Sequence, residues 1–266
     1  MLTGLQGFLK SWGGPLIFLL AIASLALGFV VPRVANGQTV AGMTAGQASF
    51  IIEVILVLVL LAVVGIGMSA RLSGVLLDSR NRYSLPQLAA VLWAVLLVAG
   101  VLAAGLANLA RSASDPLALK IPQEVFEAAG LSATALVGTP IVRAVKRGNS
   151  QPTDLMGPDK QPVTDKQLVG SIVQNTKPDS ATWMDLFQGE ESGNHDRPDL
   201  SRIQLFYFTI LAVGIYGAQL FAALGSSTPA TFPQLDQGLL GLLLLSNGTS
   251  LVYQAAPHKG AADDAP

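Results

Sequence analysis

The sequence predicts an all-α protein: a polytopic membrane helix bundle with about six spans, including a duplicated two-helix hairpin. Three observations support this class. The 266 residues are 51% hydrophobic and 12% charged, and their mean hydropathy of +0.51 is well outside the range of ordinary soluble domains. Apolar runs of roughly the 20 residues that a helix needs to cross a bilayer recur along the chain. Finally, residues 199–254 repeat the plan of residues 82–146.

The repeated plan consists of a polar lead-in, an apolar run, a hinge that contains proline, and a second apolar run broken by small polar residues. An alignment that sets Arg82 against Arg197 also pairs two rows of small residues that recur every four positions: Ala99, Ala103 and Ala107 with Gly214, Ala218 and Ala222. IPQ at 121–123 then corresponds to FPQ at 232–234. Two unrelated apolar helices joined through a proline would look similar, but one offset that matches several independent features favours duplication.

The first segment, residues 1–80, is predicted to hold a helix pair with spans at 14–31 and 50–68. The first run is longer than the roughly 7–15 apolar residues of a signal peptide, so a membrane anchor is favoured over a cleaved leader. Glu53 is the candidate intramembrane acid. It lies close to the predicted start of the second span, so we expect an interfacial carboxylate rather than a buried proton relay.

The second segment, residues 81–147, is predicted to be the first hairpin repeat, with spans at 88–109 and 125–145. The span at 125–145 is the less apolar of the two, because it contains Glu127 and Pro140. Its assignment therefore depends on the repeat.

The third segment, residues 148–198, is the long polar part of the chain and is broken by prolines. We predict a cytoplasmic linker rather than a compact domain, because its apolar content is too low to offset the entropy lost on ordering. Short helices are predicted at 164–175 and 179–191, and the second of these suits the membrane surface or the ends of the spans. Glu190 and Glu191 are interpreted as an exposed acidic turn.

The final segment, residues 199–266, is predicted to be the second hairpin repeat and a tail. Its spans are placed at 205–224 and 239–255, and the hinge between them has no basic residue. The rows of small residues on the third and fifth spans would let helix backbones approach closely in lipid. Both rows are therefore expected to pack against neighbouring helices.

Basic residues orient this six-span arrangement. Of the 16 Lys and Arg residues, Arg33, Arg111 and Lys120 fall outside and the other thirteen fall on the cytoplasmic side. This asymmetry predicts that both termini are cytoplasmic.

A cluster of small polar residues interrupts the sixth span and is the candidate polar notch. It comprises Ser246, Asn247, Gly248 and Thr249, with a weaker counterpart at Ser132 and Thr134 in the fourth span. Such groups are costly where they face lipid, so they should face another helix, a bend or water, and Ser246, Asn247 and Thr249 are expected to face the protein interior. Hydrogen bonding between helices and a hydrated path or binding notch are both open interpretations.

Residues that carry chemistry are scarce. The chain has no cysteine, and its two histidines, His195 and His258, are not spaced as metal ligands. No phosphate-binding glycine loop or dinucleotide fingerprint occurs. We therefore predict no catalytic, cofactor-binding or metal-binding residues, no cofactor, and no enzymatic activity. The net charge of -1 gives no general attraction to nucleic acid.

The lead-in DLSRIQ and the hinge FPQ resemble a module of uncharacterised bacterial multi-pass inner-membrane proteins. In that module S-L-x-R-x-Q precedes a span with aromatic residues, and G-I-S-x-x-T follows a span that begins at a proline. The second copy matches at Leu200, Arg202, Gln204, Pro233 and Gly248-Thr249. The first copy departs at Gln87 and Ala89, although residues 130–134 fit. The resemblance covers about the last two-thirds of the chain. It implies a bacterial inner-membrane setting and brings no established activity.

Two functions remain open at this point. The duplicated hairpins are expected to enclose a channel or transport path, or the protein is a membrane scaffold that recruits a cytoplasmic protein through residues 148–198. The lipid bilayer is the expected environment in both cases. Homo-oligomerisation is compatible with both.

Overall fold

The computed structural model describes residues 2–35, 42–110, 113–116, 118–133, 135, 173–191, 194–195, 197–226 and 231–255. The helices are α1 (Leu2–Ala35), α2 (Ala45–Ser69), α3 (Leu85–Ala110), α4 (residues 123–133), α5 (Leu200–Leu224) and α6 (Gln237–Ala255). Short 3-10 turns occupy Gly74–Leu76, Pro178–Ser180 and Trp183–Leu186. Within these ranges the only β pairing is two isolated bridges, so the all-α prediction is confirmed.

Three of the described helices are long and apolar enough to cross a membrane: α2, α3 and α5. These helices coincide with the second, third and fifth predicted spans, and they fit a membrane protein. The apolar stretch of α1, Trp12–Gly28, is shorter, and the small polar residues of α6 lower its hydropathy. The end of the fourth predicted span, from residue 136, lies outside the described residues. Six spans are therefore not established.

A capping box fixes the start of α2. The Thr44 hydroxyl accepts a hydrogen bond from the Gln47 backbone N–H at 3.4 Å, and the Gln47 side chain accepts one from the Thr44 N–H at 3.0 Å. The helix therefore begins at Ala45, five residues before the predicted span. Glu53 becomes its ninth residue and lies about 12 Å along the axis from the helix start.

The helices α3 and α5 begin in the same way. Each is preceded by a residue in an isolated β bridge, Tyr83 for α3 and Pro198 for α5. The next residue is the last one before the helix, and its carbonyl accepts a helical hydrogen bond. At α3, the Ser84 carbonyl accepts from the Leu88 N–H at 3.0 Å. At α5, the Asp199 carbonyl likewise accepts from the Ile203 N–H at 3.1 Å. An Asp199 carboxylate oxygen in addition accepts from the N–H groups of Ser201 and Arg202 at 2.9 and 3.3 Å. These lead-in positions are the ones that the repeat alignment pairs.

The contacts divide the chain into two compact units. The first comprises Met1–Leu76, Ala90–Ala129 and Ile210–Leu240, and the second comprises Leu77–Ala89, Gly130–Thr209 and Gly241–Pro266. The predicted division into four segments follows topology and repeats, not contacts, and stays a prediction.

The first unit is held by α3 packing on α5. The Trp93 and Tyr216 rings are 6.1 Å apart, and the Tyr216 hydroxyl donates to the Pro233 carbonyl at 3.1 Å. A side chain at Gly100 would collide with Leu220, so this glycine lets the helices approach closely.

The start of α2 lies beside the end of α5. The Gln47 amide donates to the Phe221 carbonyl at 3.3 Å, and the Thr44 hydroxyl donates to the Leu224 carbonyl at 3.4 Å. These bonds satisfy carbonyl groups in the last turn of α5, where no helical N–H is left to reach them. The residues before α2 and after α5 therefore lie at the same end of the first unit.

The two rows of small residues differ in burial. Ala99, Ala103 and Ala107 on α3 are fully buried, as predicted. The prediction is wrong for the row on α5, because Gly214, Ala218 and Ala222 are exposed. The helix α5 instead buries a row that begins two residues earlier, at Ala212, Tyr216, Leu220 and Leu224. Two residues turn a helix by about 200°, which puts the two rows on opposite faces. The repeat alignment therefore does not extend to the buried faces of α3 and α5.

These two rows provide a matched pair of variants. Ala103→Leu should destabilise the protein by about 1–3 kcal/mol, because the extra carbons must enter a filled interior. Ala218→Leu should leave the free energy of unfolding nearly unchanged. Thermal unfolding in detergent measures both, and equal losses for the two variants would contradict the observed packing.

Candidate functional site

A buried cluster of charged side chains lies within the second unit, and we refer to it as the ion-pair cluster. Its side chains are all at most 9% exposed. It consists of three arginines and four carboxylates: Arg80, Arg82, Arg202, Asp78, Asp185, Glu190 and Asp199. The members come from the loop before α3, the polar segment before α5, and the first turn of α5.

Glu190 is the centre of the ion-pair cluster, because one of its carboxylate oxygens pairs with two arginines. Arg80 Nη2 is 3.2 Å from this oxygen, and Arg202 Nη2 is also in contact with it. Arg80 is paired in addition with Asp78, whose Oδ2 lies 2.7 Å from Nη2. Through Glu190, a residue of the polar segment connects the lead-ins of two helices.

Asp185 joins the same segments by a second route. One carboxylate oxygen lies 3.4 Å from Arg82 Nη2, and the other accepts from the Tyr83 N–H at 3.3 Å. The same side chain caps the turn Trp183–Leu186 by accepting from the Thr182 N–H at 3.0 Å. The carboxylate therefore serves as a turn cap and as the partner of a buried arginine.

Arg202 lies in the first turn of α5, where a positive charge opposes the helix dipole. Two neighbours offset this arrangement. Its Nη2 pairs with Glu190, and its Nε lies 3.8 Å from Asp199 Oδ2. Its Nη1 donates to the Asp185 carbonyl at 3.1 Å, so that each part of the guanidinium group faces an acceptor or a carboxylate.

The part of residues 148–198 that the structure describes is folded, in contrast to the predicted linker. The region predicted as a helix at 179–191 forms the two 3-10 turns, and Trp183 stacks on Tyr83 with ring centroids 4.4 Å apart. The docking alternative is thus the one observed. Glu190 and Glu191 are buried, so their interpretation as an exposed turn is wrong. Residues 151–172, including most of the helix predicted at 164–175, lie outside the described residues.

The sequence contains a signal for the ion-pair cluster that apolar content does not reveal. Between residues 178 and 199 there are six acidic residues and one arginine, a net formal charge of -5. The loop at 71–82 has three arginines and one aspartate, a net formal charge of +2. Opposite net charges on these two segments predict that they pair. The prediction of a linker considered only the burial of apolar groups and therefore missed this pairing.

The ion-pair cluster yields a stability prediction. Arg202→Met removes a cation from two buried carboxylates and should destabilise the protein by about 3–5 kcal/mol. The control is Arg197→Met, since Arg197 is exposed in the same segment. Thermal unfolding in detergent measures both, and equal effects for the two variants would contradict the assigned pairing.

Glu53 is placed differently from the prediction. It is 0% exposed, and its Oε2 accepts a hydrogen bond from the Ser24 hydroxyl of α1. One turn away, the Ser49 hydroxyl donates to the Gly28 carbonyl at 3.4 Å, so α1 and α2 are antiparallel here. Because α2 starts earlier than the apolar run, the buried carboxylate lies further from the helix start than the predicted span implied. Its interfacial position in a membrane stays a prediction.

Gly28 makes room for this carboxylate. A side chain at this position would collide with Glu53 Oε1 and with Leu106 Cδ1 of α3. Oε1 is buried and has no hydrogen-bond partner among the described residues. Three helices therefore meet around a carboxyl group that has one hydroxyl donor.

The predicted polar notch is only partly interior. Ser246 and Asn247 are buried, as expected, but Gly248 and Thr249 are exposed. Asn247 Nδ2 donates to the Leu243 carbonyl at 2.9 Å, and the Thr249 hydroxyl donates to the Leu245 carbonyl at 2.8 Å. Both side chains are satisfied within α6 by bonding four residues back, an option that the prediction did not consider.

The weaker counterpart of the notch lies on α4. Ser132 is buried, whereas the side chain of Thr134 lies outside the described residues. Buried serines thus occur at the two positions that the repeat places in correspondence, Ser132 and Ser246. Their assignment as a functional site stays a prediction.

Ser246 gives a test of this assignment. Its hydroxyl has no hydrogen-bond partner in the described part of the chain. Ser246→Ala should therefore raise the free energy of unfolding by about 1 kcal/mol, because an unsatisfied buried hydroxyl costs about 1–3 kcal/mol. Thr249→Ala is the exposed control. A loss of more than about 1 kcal/mol for Ser246→Ala would show that the hydroxyl has a partner and would support a hydrated notch.

The described residues contain no group of three or more His, Asp or Glu side chains suited to hold a metal ion, and His195 is exposed. No family model, curated protein or solved structure matches this chain.

Proposed function

We propose that the protein is a transport-like helix bundle of a bacterial inner membrane, with six crossings and both termini cytoplasmic. It is not an enzyme in this proposal and needs no cofactor. The observation that carries the proposal is the complete burial of Glu53 within α2, one of the three helices suited to cross a membrane.

An ionisable side chain inside an apolar helix is costly, and such residues mark ion or substrate pathways. Glu53 is hydrogen-bonded to Ser24 and is not paired with a cation among the described residues. It therefore has no structural ion pair of the kind that the carboxylates of the second unit form with arginines. A purely structural residue at this position would be better served by an apolar side chain. We take the retained carboxyl group as the functional one.

Two features support the proposed topology. The hydrogen bonds from Thr44 and Gln47 to the end of α5 bring together the two loops that the basic-residue distribution puts outside. The matching lead-ins of α3 and α5 support two related hairpins, although their buried faces differ. The ion-pair cluster would then lie on the cytoplasmic side, where arginines next to spans are favoured.

Ion flux into liposomes tests the transport proposal. The purified protein is reconstituted, and uptake of K⁺, Na⁺, Cl⁻ and H⁺ is followed with dyes trapped inside. Glu53→Gln should reduce the flux to that of protein-free liposomes. Glu127→Gln should retain it, because Glu127 is exposed and accepts a hydrogen bond from its helix neighbour Gln123 at 2.7 Å. Flux that persists in Glu53→Gln would contradict the proposal.

A membrane scaffold is the second candidate, and one observation favours it. The turn Trp183–Leu186 is held rigidly by Asp185, yet it presents Trp183 and Met184 at 55% and 57% exposure. Exposed tryptophan on a fixed frame is typical of protein interfaces. Loss of a co-purifying cytoplasmic protein in Met184→Ala, with unchanged thermal stability, would support this role.

A further inference from the structure

We propose that Glu53 and Ser24 form a reversible proton-binding site inside the helix bundle, in which the Glu53 carboxyl group takes up the proton. This inference deepens the proposed function and rests on it for its biological role, because it names the proton as the transported or coupling species. The binding itself is measured without any flux.

The two carboxyl oxygens of Glu53 have unequal surroundings. Oε2 accepts a hydrogen bond from Ser24, whereas Oε1 is buried without a partner among the described residues. In the ionised form, Oε1 would carry negative charge with no donor or cation to stabilise it. Uptake of a proton removes that charge, and burial of a neutral acid costs far less than burial of an isolated carboxylate. The proton is therefore the ligand that this site is built to accept.

The helices around Glu53 offer no competing charge nearby. Neither α2 nor α3 contains another acidic or basic residue. On α1 the charged residues are Lys10 and Arg33, which are 14 residues before and nine residues after Ser24. These separations correspond to about 21 and 14 Å along the helix axis. A metal cation would need about six oxygen ligands, and the contacts found here supply one carboxyl group and one hydroxyl group.

Gly28 defines the space that the carboxyl group occupies. It lies one turn beyond Ser24 on α1, and a methyl group there would meet Glu53 Oε1 and Leu106 Cδ1. Both atoms are at the ends of flexible side chains, so Gly28→Ala should displace the carboxyl group without breaking the backbone packing. Gly28→Ala is thus a perturbation of the site that leaves Glu53 in place.

Infrared difference spectroscopy across a pH series tests the proposal directly. The full-length protein is reconstituted in lipid, and the C=O stretching band of protonated carboxyl groups is recorded. We expect a band that falls reversibly as the pH rises, while carboxylate bands grow. This band should be lost in Glu53→Gln and retained in Glu127→Gln.

Variants of the neighbours separate proton binding from a structural role. Ser24→Ala removes the donor to Oε2, so the C=O band should shift to higher wavenumber. Gly28→Ala should also move this band, because it displaces the carboxyl group. These two variants keep the test valid if Glu53→Gln fails to fold.

Three results would overturn the proposal: no band that depends on Glu53, a Glu53 band that does not change with pH, or its loss when choline chloride is replaced by sodium chloride at constant pH. A titrating Glu53 in a protein that conducts no ions supports the binding site and refutes only the transport function. Flux without titration of Glu53 refutes the proton site and leaves transport by another route.

Discussion

Glu190 pairs with two buried arginines that lie at or just before the starts of two different helices. This burial of a carboxylate together with its cations organises the second unit. Arg80 precedes α3, and Arg202 belongs to the first turn of α5. A buried guanidinium group loses its hydration and requires a carboxylate in compensation. Because the polar segment supplies that carboxylate, it must fold against both lead-ins. The basic residues expected to orient the chain in a membrane therefore also determine the fold of the segment beside them.

A buried ion pair contributes little net stability relative to apolar packing, and its effect is better described as specificity. Removal of one partner is costly, so alternative arrangements that leave an arginine unpaired are strongly disfavoured. In the second unit, Asp185 adds to this selection because it caps a turn and receives Arg82 at the same time. In the observed register of the polar segment, each of the three arginines is paired with at least one carboxylate.

Glu53 is also a buried carboxyl group, but it is not compensated by an ion pair in the part of the chain that the structure describes. Its surroundings in the first unit supply one hydroxyl donor from Ser24 and no cation among the groups that contact it. In the ion-pair cluster a carboxylate is stabilised by arginine, whereas in α2 the neutral acid is the form with the lower cost of burial. This difference explains why the cluster is assigned a structural role and Glu53 a functional one.

The sequence predicted the features that depend on local composition. Apolar runs located α2, α3 and α5, and the row at Ala99, Ala103 and Ala107 was correctly expected to be buried. The start of α2 was missed, although Thr44 and Gln47 form a readable capping box, and the depth of Glu53 was missed with it.

Other features depend on partners that are distant in sequence. The pairing of Glu190 with Arg80 joins residues 110 positions apart in the sequence, so the spacing of apolar residues does not predict it. The face of α5 that is buried is likewise selected by Trp93 and Pro233, which contact Tyr216. The hydrogen bonds of Asn247 and Thr249 to their own helix could have been anticipated from their residue types, but the choice between this option and a neighbouring helix depends on tertiary packing.

Hydrogen–deuterium exchange on the lipid-embedded protein distinguishes a polar segment that is folded by the ion-pair cluster from a flexible linker, because the two differ in amide protection. The N–H groups of Val173, Asn175 and Asp199 are bonded to backbone carbonyls at 2.7–2.9 Å. We expect slow exchange for peptides that contain these amides, and fast exchange when Glu190→Ala is introduced. Exchange in the unmodified protein as fast as in an unstructured peptide, or protection unchanged by Glu190→Ala, would contradict the role of Glu190 in folding this segment.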